Sequence, residues 1–168
     1  MPILTLKKNK APLGIYVHVP FCRSKCQYCD FYSLTTKEDK VLDRYQDAVC
    51  AHIKETGPLA PDYVVDTIYF GGGTPSLFGA KRLKAMLGYL RTRFFIREDA
   101  EITLEVNPGT VDLPFLQEVR SAGFNRLSIG MQSACNKELA FLGRIHTAED
   151  VKVCVEDARK AGFDNISL

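Results

Sequence analysis

Three cysteines lie close together near the amino end of the chain, in the spacing C-x3-C-x2-C. They are Cys22, Cys26 and Cys29, all within eight residues. A loop this short can bring three thiolates around one centre, and cysteine thiolates at spacings of this kind hold iron–sulfur clusters. Three ligands would leave one iron of a four-iron cluster without a protein ligand, and that iron could bind a small-molecule chelator.

A second metal chemistry fits the same loop. Zinc can be held by three cysteines and one histidine, and His18 lies four residues before Cys22. However, His18 shares a strand face with Tyr16, and a structural zinc loop more often supplies its cysteines as two separated pairs. An iron–sulfur cluster is therefore favoured, and a zinc-binding module without catalytic activity is the alternative from another class.

A glycine-rich segment, GGGTPS at residues 71–76, could also contact a ligand. Consecutive glycines let the backbone approach a ligand closely and expose its N–H and C=O groups, although a tight turn would use the same residues. No Gly-Lys-Ser or Gly-Lys-Thr follows, which excludes a P-loop for phosphate.

The hydrophobic pattern places these features on alternating strands and helices. Apolar runs predict strands at residues 15–19, 67–70, 102–106, 127–129 and 165–168. Amphipathic stretches predict helices at about residues 39–55, 80–95, 113–121 and 147–161. Strands joined by helices pair in parallel, so the predicted fold class is α/β, either a βα barrel or an open doubly wound sheet.

The residues that could do chemistry all lie at the carboxyl ends of the predicted strands, where ligands bind in such folds. The cysteine loop and the glycines follow the first and second strands, Glu105 and Asn107 close the third, and Gln132 follows the fourth. Glu105 lies in an apolar strand, where a carboxylate needs partners. It is either a site residue or the partner of an arginine in a structural ion pair.

The remaining cysteines and histidines carry no comparable pattern. Cys50 and Cys154 fall in helical patterns and are predicted to be buried as small apolar side chains. Cys135 is isolated, with no neighbour that would make it a nucleophile. No partner pattern for a catalytic base surrounds the histidines, which are His18, His52 and His146.

Composition indicates one ordinary globular domain. The 168 residues carry a net charge of +2, from 22 Lys and Arg against 20 Asp and Glu, with 46% hydrophobic residues, which excludes disorder. The scattered basic residues argue against nucleic acid as a partner. No apolar run is long enough to span a membrane, and residues 1–10 do not resemble a secretory signal, so a cytoplasmic location is expected. The last strand has no helix to cover it, which predicts that residues 1–168 are the amino-terminal part of a barrel truncated after strand five.

The cysteine loop, with Tyr28 directly before its last cysteine, resembles the signature of radical S-adenosylmethionine (SAM) enzymes. The resemblance implies a full or partial TIM-type βα barrel, with a 4Fe–4S cluster and SAM as cofactors and an electron donor as partner. It further implies that the open iron binds SAM. One electron from the cluster then splits SAM into methionine and a 5′-deoxyadenosyl radical.

Four segments narrow the resemblance to the oxygen-independent coproporphyrinogen III oxidase family. They are YVHVPFC at 16–22, FGGGTP at 70–75, ITLEVNP at 102–108 and NRLSIGMQ at 125–132. The resemblance runs from about residue 13 to residue 168 and implies that the three loop cysteines are the iron ligands. It implies a set of cofactor-binding residues, which are Tyr16, Tyr28, Gly72, Gly73, Thr74, Glu105, Gln132 and Arg144. It identifies no catalytic residue.

Two departures from the oxidase pattern favour the haem-chaperone (HemW) branch of this family. Phe31 occupies the position where oxidases carry a further cysteine, and only about 13 residues precede the first strand. This branch implies that haem or porphyrin and haem-acceptor proteins are partners of the full-length protein. The alternative is a true oxidase, which starts the decarboxylation of propionate side chains to vinyl groups.

Overall fold

Five parallel strands form one sheet, with the helices packed on one of its faces. The structure is a computed structural model and describes residues 10–168. Residues 1–9 lie outside the described residues. They include most of residues 1–10, for which the sequence predicts no secretory signal. The strands are β1 (Ala11–Val19), β2 (Tyr63–Gly72), β3 (Ile96–Val106), β4 (Arg126–Ile129) and β5 (Asn165–Ser167). The helices are α1 (Asp39–Thr56), α2 (Ala80–Arg93), α3 (Leu113–Ala122), α4 (Asn136–Phe141) and α5 (Ala148–Lys160).

The strands follow one another across the sheet in chain order, β1-β2-β3-β4-β5, and every neighbouring pair is parallel. The sheet is open, with β1 at one edge and β5 at the other. The predicted α/β class with parallel βα units, forming part of a barrel, is therefore confirmed. This topology sets the carboxyl ends of all five strands along one rim.

The two faces of the sheet differ in chemistry, because side chains alternate along each strand. Residues under the helices are apolar and fully buried, as Phe70, Leu104 and Leu127 show. The opposite face carries polar residues such as Tyr69 and Glu105, which are half-buried. The open, polar face therefore leads directly to the rim where the predicted site residues lie.

Several elements differ in extent from their predictions. Strand β3 begins at Ile96 rather than residue 102, because residues 97–101 are mostly charged and carry no apolar run. Gly71 and Gly72 continue β2 instead of forming a turn. Helix α4 was not predicted, since its six residues are too few to show a period. Among the described residues, no helix is long and apolar enough to cross a membrane.

Local sequence explains the termini of α3 and α5. The Asp112 carboxylate accepts a hydrogen bond from the backbone N–H of Phe115 and so caps the start of α3. Gly123 ends α3 with φ 107°, in the left-handed region that favours glycine. Thr147 and Asp150 form a reciprocal capping box at the start of α5.

An aromatic cluster fixes the start of the cysteine loop against the helices. Phe21, which directly precedes Cys22, stacks on Phe78 with ring centroids 5.6 Å apart. Tyr45 of α1 packs edge-on against both rings, and its hydroxyl donates a hydrogen bond to the carbonyl of His18. Phe21 and Phe78 are fully buried, so the core determines where the loop leaves the sheet.

Replacing Phe78 with alanine should destabilise the fold strongly. Phe78→Ala removes a fully buried ring and leaves a cavity beneath the loop, which should cost about 3–5 kcal/mol in the free energy of unfolding. The matched control is Phe141→Ala, whose ring is 80% exposed and whose loss should change stability by less than about 0.5 kcal/mol. Denaturant unfolding measures both values, and similar losses in the two variants would refute the assigned role of the cluster.

Candidate metal and cofactor site

One cavity of about 580 Å³ opens at the carboxyl ends of the strands. All three cysteines of the C-x3-C-x2-C loop line it. Seven of the eight predicted cofactor-binding residues line it as well, namely Tyr28, Gly72, Gly73, Thr74, Glu105, Gln132 and Arg144. The fold therefore brings together residues that are more than 100 positions apart in the sequence.

The cysteine loop is closed at its base by backbone hydrogen bonds. The N–H of Leu34 donates to the carbonyl of Pro20 at 2.6 Å, and the N–H of Cys22 donates to the carbonyl of Leu34 at 3.0 Å. The cysteines of the loop are free thiols of intermediate exposure. Among residues 10–168, no three His, Cys, Asp or Glu side chains come close enough together to hold a single metal ion.

The glycine segment packs directly against the start of the cysteine loop. The N–H of Gly73 donates to the carbonyl of Val19 at 2.9 Å, and that of Thr74 donates to the carbonyl of Phe21 at 2.7 Å. A Cβ atom on Gly73 would lie 2.7 Å from the Phe21 oxygen and 3.0 Å from the Cys22 Sγ. Glycine is thus required here because two backbone segments approach each other beside a cysteine.

Glu105 is held in place by two donors at the edge of the cavity. The Tyr69 hydroxyl donates to Oε1 at 2.7 Å, and the N–H of Gly72 donates to Oε2 at 3.1 Å. The sequence also allowed a structural ion pair between Glu105 and an arginine. Among the described residues, Glu105 forms no such ion pair. Burial, together with the hydrogen bond to Glu105, raises the pKa of Tyr69, so the phenol keeps the proton that it donates.

Arg144 projects into the same cavity from the segment after α4. Its Nη2 donates to the Asn107 Oδ1 at 2.7 Å and to the Gly130 carbonyl at 2.8 Å, and its Nη1 lies 3.8 Å from the Cys26 Sγ. Its Nε is buried and, within residues 10–168, has no hydrogen-bond partner. A buried charged donor without an acceptor is costly, and the positive charge of this guanidinium suits the cavity to an anionic group.

The remaining predicted residues differ in their placement. Gln132 lines the cavity in the left-handed region, with φ 67°, a backbone strain that often occurs at functional sites. Tyr16 is 55% exposed and is not among the residues that line the cavity. Its hydroxyl lies 3.1 Å from the His18 Nδ1, and its ring stacks on Tyr69. Tyr16 is therefore not part of the hydrophobic core.

Sequence reasoning assigned no role to three residues that shape the site. Tyr69 holds Glu105, and its position two residues before Gly71 on the same strand face was the available signal. Asn107 was placed at the rim but given no partner, and it contacts both Thr74 and Arg144. His146 is 4% exposed, lines the cavity and has a pKa lowered by burial.

The isolated cysteines lie apart from the cavity. Cys154 is buried as predicted, and burial raises the pKa of its thiol to about 11, which makes it unreactive. Cys50, which was also predicted to be buried, is only half-buried, and Cys135 is exposed. Of the six cysteines, all of which lie in the part of the chain that the structure describes, those that line the cavity are the three of the loop.

The donor set fits a 4Fe–4S cluster bound together with an anionic ligand. Thiolates are the protein ligands of such clusters, and three of them line one cavity. Arg144 places positive charge beside Cys26, and its buried Nε has no hydrogen-bond partner within residues 10–168. Gly73 keeps its backbone close to the cysteine loop, where a side chain would collide with Phe21.

Replacing Gly73 with alanine should separate the glycine segment from the cysteine loop. The new Cβ would meet backbone atoms of Phe21 that cannot move independently, so Gly73→Ala should cost about 1–3 kcal/mol in the free energy of unfolding. The matched control is Gly88→Ala in the middle of α2, where the added Cβ meets open space and should stabilise the fold by about 0.5–1 kcal/mol. Chemical denaturation distinguishes the two, and changes of the same sign would contradict the close approach.

Comparison with known proteins agrees with this geometry. The model of the radical SAM superfamily matches residues 16–168. Heme chaperone HemW of Mycobacterium tuberculosis (strain CDC 1551 / Oshkosh) is 37% identical over 159 residues, covering 94% of this chain and 41% of that protein. The oxygen-independent coproporphyrinogen III oxidase of Salmonella typhimurium is 33% identical over 157 residues, covering 94% of this chain and 34% of the oxidase. The chain thus spans about two fifths and one third of the lengths of these relatives.

A solved structure shows the same architecture. Coproporphyrinogen III oxidase (HemN) from Escherichia coli, described as a radical SAM enzyme, superposes with a TM-score of 0.86 at 32% identity, covering 94% of this chain and 36% of HemN. The open five-stranded sheet corresponds to the partial barrel expected from the sequence. From the family match over residues 16–168, the shared fold and the three cysteines at one rim, we conclude that the chain belongs to the radical SAM superfamily, whose cofactors are a 4Fe–4S cluster and SAM.

Proposed function

We propose that Cys22, Cys26 and Cys29 are the protein ligands of the cluster and that SAM binds across the same cavity. The observation that carries this proposal is the convergence of three free thiols, the glycine segment and the charged side chain of Arg144 on one rim. When bound, the cluster and SAM together supply one-electron reductive chemistry. The chain would serve as the amino-terminal part of a radical SAM core domain.

Each residue around the cavity would contribute a different interaction with SAM. Glu105, fixed by Tyr69 and Gly72, presents a carboxylate that can accept hydrogen bonds from hydroxyl or amino groups. Arg144 lines the cavity and supplies the positive charge that attracts a carboxylate. Gly73 allows the ligand to lie against the backbone, and the Gln132 amide extends the polar lining on the far side.

We further propose that the full-length protein is a haem chaperone of the HemW type in porphyrin metabolism. Phe31 lies where oxidases carry a further cysteine, and it lines the cavity at 61% exposure. The identity to HemW, 37%, is also higher than the identity to the oxidase, 33%. Haem or porphyrin, haem-acceptor proteins and an electron donor are the partners that this function requires.

The second candidate is a true oxygen-independent coproporphyrinogen III oxidase. The relatives include such oxidases, and the HemN fold matches this chain with a TM-score of 0.86. In that case the same residues would bind the same cofactors, and the difference would lie in the chemistry performed on the porphyrinogen.

Anaerobic reconstitution with iron and sulfide tests the metal assignment. The wild-type chain should take up about four iron atoms and four sulfides, because three thiolates suffice to hold a four-iron cluster. Serine at position 22, 26 or 29 should reduce the bound iron severely, whereas Cys135→Ser should leave it unchanged, since Cys135 is exposed and away from the cavity. Uptake of one zinc ion per chain in place of iron would overturn the proposal in favour of a zinc-binding module.

Product analysis separates the two branches. Incubated anaerobically with coproporphyrinogen III, SAM and a reductant, the full-length protein should form no vinyl product, and it should bind haem with a change in the haem absorption spectrum. Formation of vinyl groups in amounts that depend on SAM would overturn the chaperone assignment and establish the oxidase.

A further inference from the structure

We infer that Asn107 is a positioning residue, which hydrogen-bonds to both Thr74 and Arg144. Through these two contacts it directs the Thr74 hydroxyl toward the sulfur of Cys22 and the Arg144 guanidinium toward the sulfur of Cys26. The inference rests on the proposed function, because it assigns Cys22 and Cys26 to the cluster. It deepens that function by naming the residue that joins the glycine segment to the arginine on the other side of the cavity.

The side chains form a continuous chain between two sulfur atoms. Thr74 Oγ1 lies 3.9 Å from the Cys22 Sγ, and Asn107 Nδ2 donates to that Oγ1 at 2.7 Å. On the other side, Arg144 Nη2 donates to the Asn107 Oδ1 at 2.7 Å, and Arg144 Nη1 lies 3.8 Å from the Cys26 Sγ. The members come from four segments that follow β1, β2, β3 and α4.

The direction of each hydrogen bond follows from the chemistry of the groups. A guanidinium can only donate, so the asparagine oxygen must face Arg144 and its NH2 group must face Thr74. Because Thr74 Oγ1 accepts from that NH2 group, its single proton is left for the Cys22 sulfur. The asparagine amide therefore directs both donors toward sulfur, which neither an aspartate nor an apolar residue could do.

The surrounding structure holds Asn107 in this arrangement. The Thr110 hydroxyl donates to the Asn107 carbonyl at 2.6 Å and fixes its backbone at the end of β3. A Cβ atom on Gly130 would lie 2.6 Å from the Asn107 Oδ1 and 3.2 Å from the Arg144 Nη2. Glycine at position 130 thus leaves room for the contact between asparagine and arginine. Thr74 is only 4% exposed, so water competes little for its hydroxyl.

Two consequences follow for the bound cofactors. Hydrogen bonds donated to cluster sulfurs stabilise the more negative, reduced cluster and raise its reduction potential. With Nη2 of Arg144 committed to Asn107 and Gly130, the guanidinium has one orientation, which fixes its positive charge at the cavity where an anionic group of SAM would bind. Loss of the asparagine amide should therefore lower the potential and weaken SAM binding together.

The test compares Asn107→Ala with Asn125→Ala in the reconstituted full chain. Both substitutions remove an amide that makes two hydrogen bonds, but those of Asn125 go to the backbone of Ala100 and Ile102, in the middle of β3 and away from the cavity. Redox titration followed by EPR gives the cluster potential, and equilibrium binding gives the SAM dissociation constant. Asn107→Ala should show a lower potential and about a tenfold or larger rise in the dissociation constant, and Asn125→Ala should show neither.

A second pair of variants, at Thr74, tests the inference even if Asn107→Ala does not fold. Thr74→Val removes the hydroxyl at nearly constant volume and should lower the potential, while Thr74→Ser retains the hydroxyl and should keep the wild-type value. A wild-type chain that assembles no cluster would overturn the proposed function and this inference together. A wild-type cluster whose potential and SAM affinity are unchanged in Asn107→Ala or Thr74→Val would overturn this inference alone.

Discussion

The site depends on the backbone contact between the glycine segment and the start of the cysteine loop. The parallel pairing of β1 with β2 extends beyond both strands, since Gly73 and Thr74 donate to carbonyls of Val19 and Phe21. This contact leaves no room for a Cβ atom at position 73. The ring of Phe21 also stacks on Phe78, so packing in the core determines the position of Cys22, the next residue. The start of the cysteine loop is therefore placed by sheet pairing and core packing, although the cysteines themselves belong to a loop.

The polar face of the sheet supplies the rest of the cavity. Parallel sheets are usually buried on both faces, but here the face opposite the helices carries hydrogen-bonded polar side chains. Tyr69 and Gly72 hold Glu105 as an acceptor at one position of the rim. At another position of the rim, Arg144 donates hydrogen bonds to the Asn107 amide oxygen and to the Gly130 carbonyl, which hold its guanidinium in place. Acceptor and donor thus lie in one cavity, as a zwitterionic ligand such as SAM requires.

Much of this arrangement follows from the sequence, because the informative signals are local. The cysteine spacing lies within eight residues, and the carboxyl ends of parallel strands meet by topology, so the placement of Glu105 and Gln132 at one rim was predictable. The pairing of Arg144 with Asn107 was not predictable, since the two residues are 37 positions apart and meet only once the sheet register is fixed. The early start of β3 was also missed, because charged residues on an open sheet face leave no apolar period.

The most direct test of the central claim is the EPR spectrum of the reduced cluster before and after addition of SAM. A cluster held by three cysteines has one iron without a protein ligand, so SAM binding should change the coordination of that iron and shift the g values of the signal. An iron–sulfur signal that does not respond to saturating SAM would contradict the account, because it would mean that no coordination position on the cluster is open to the nucleotide.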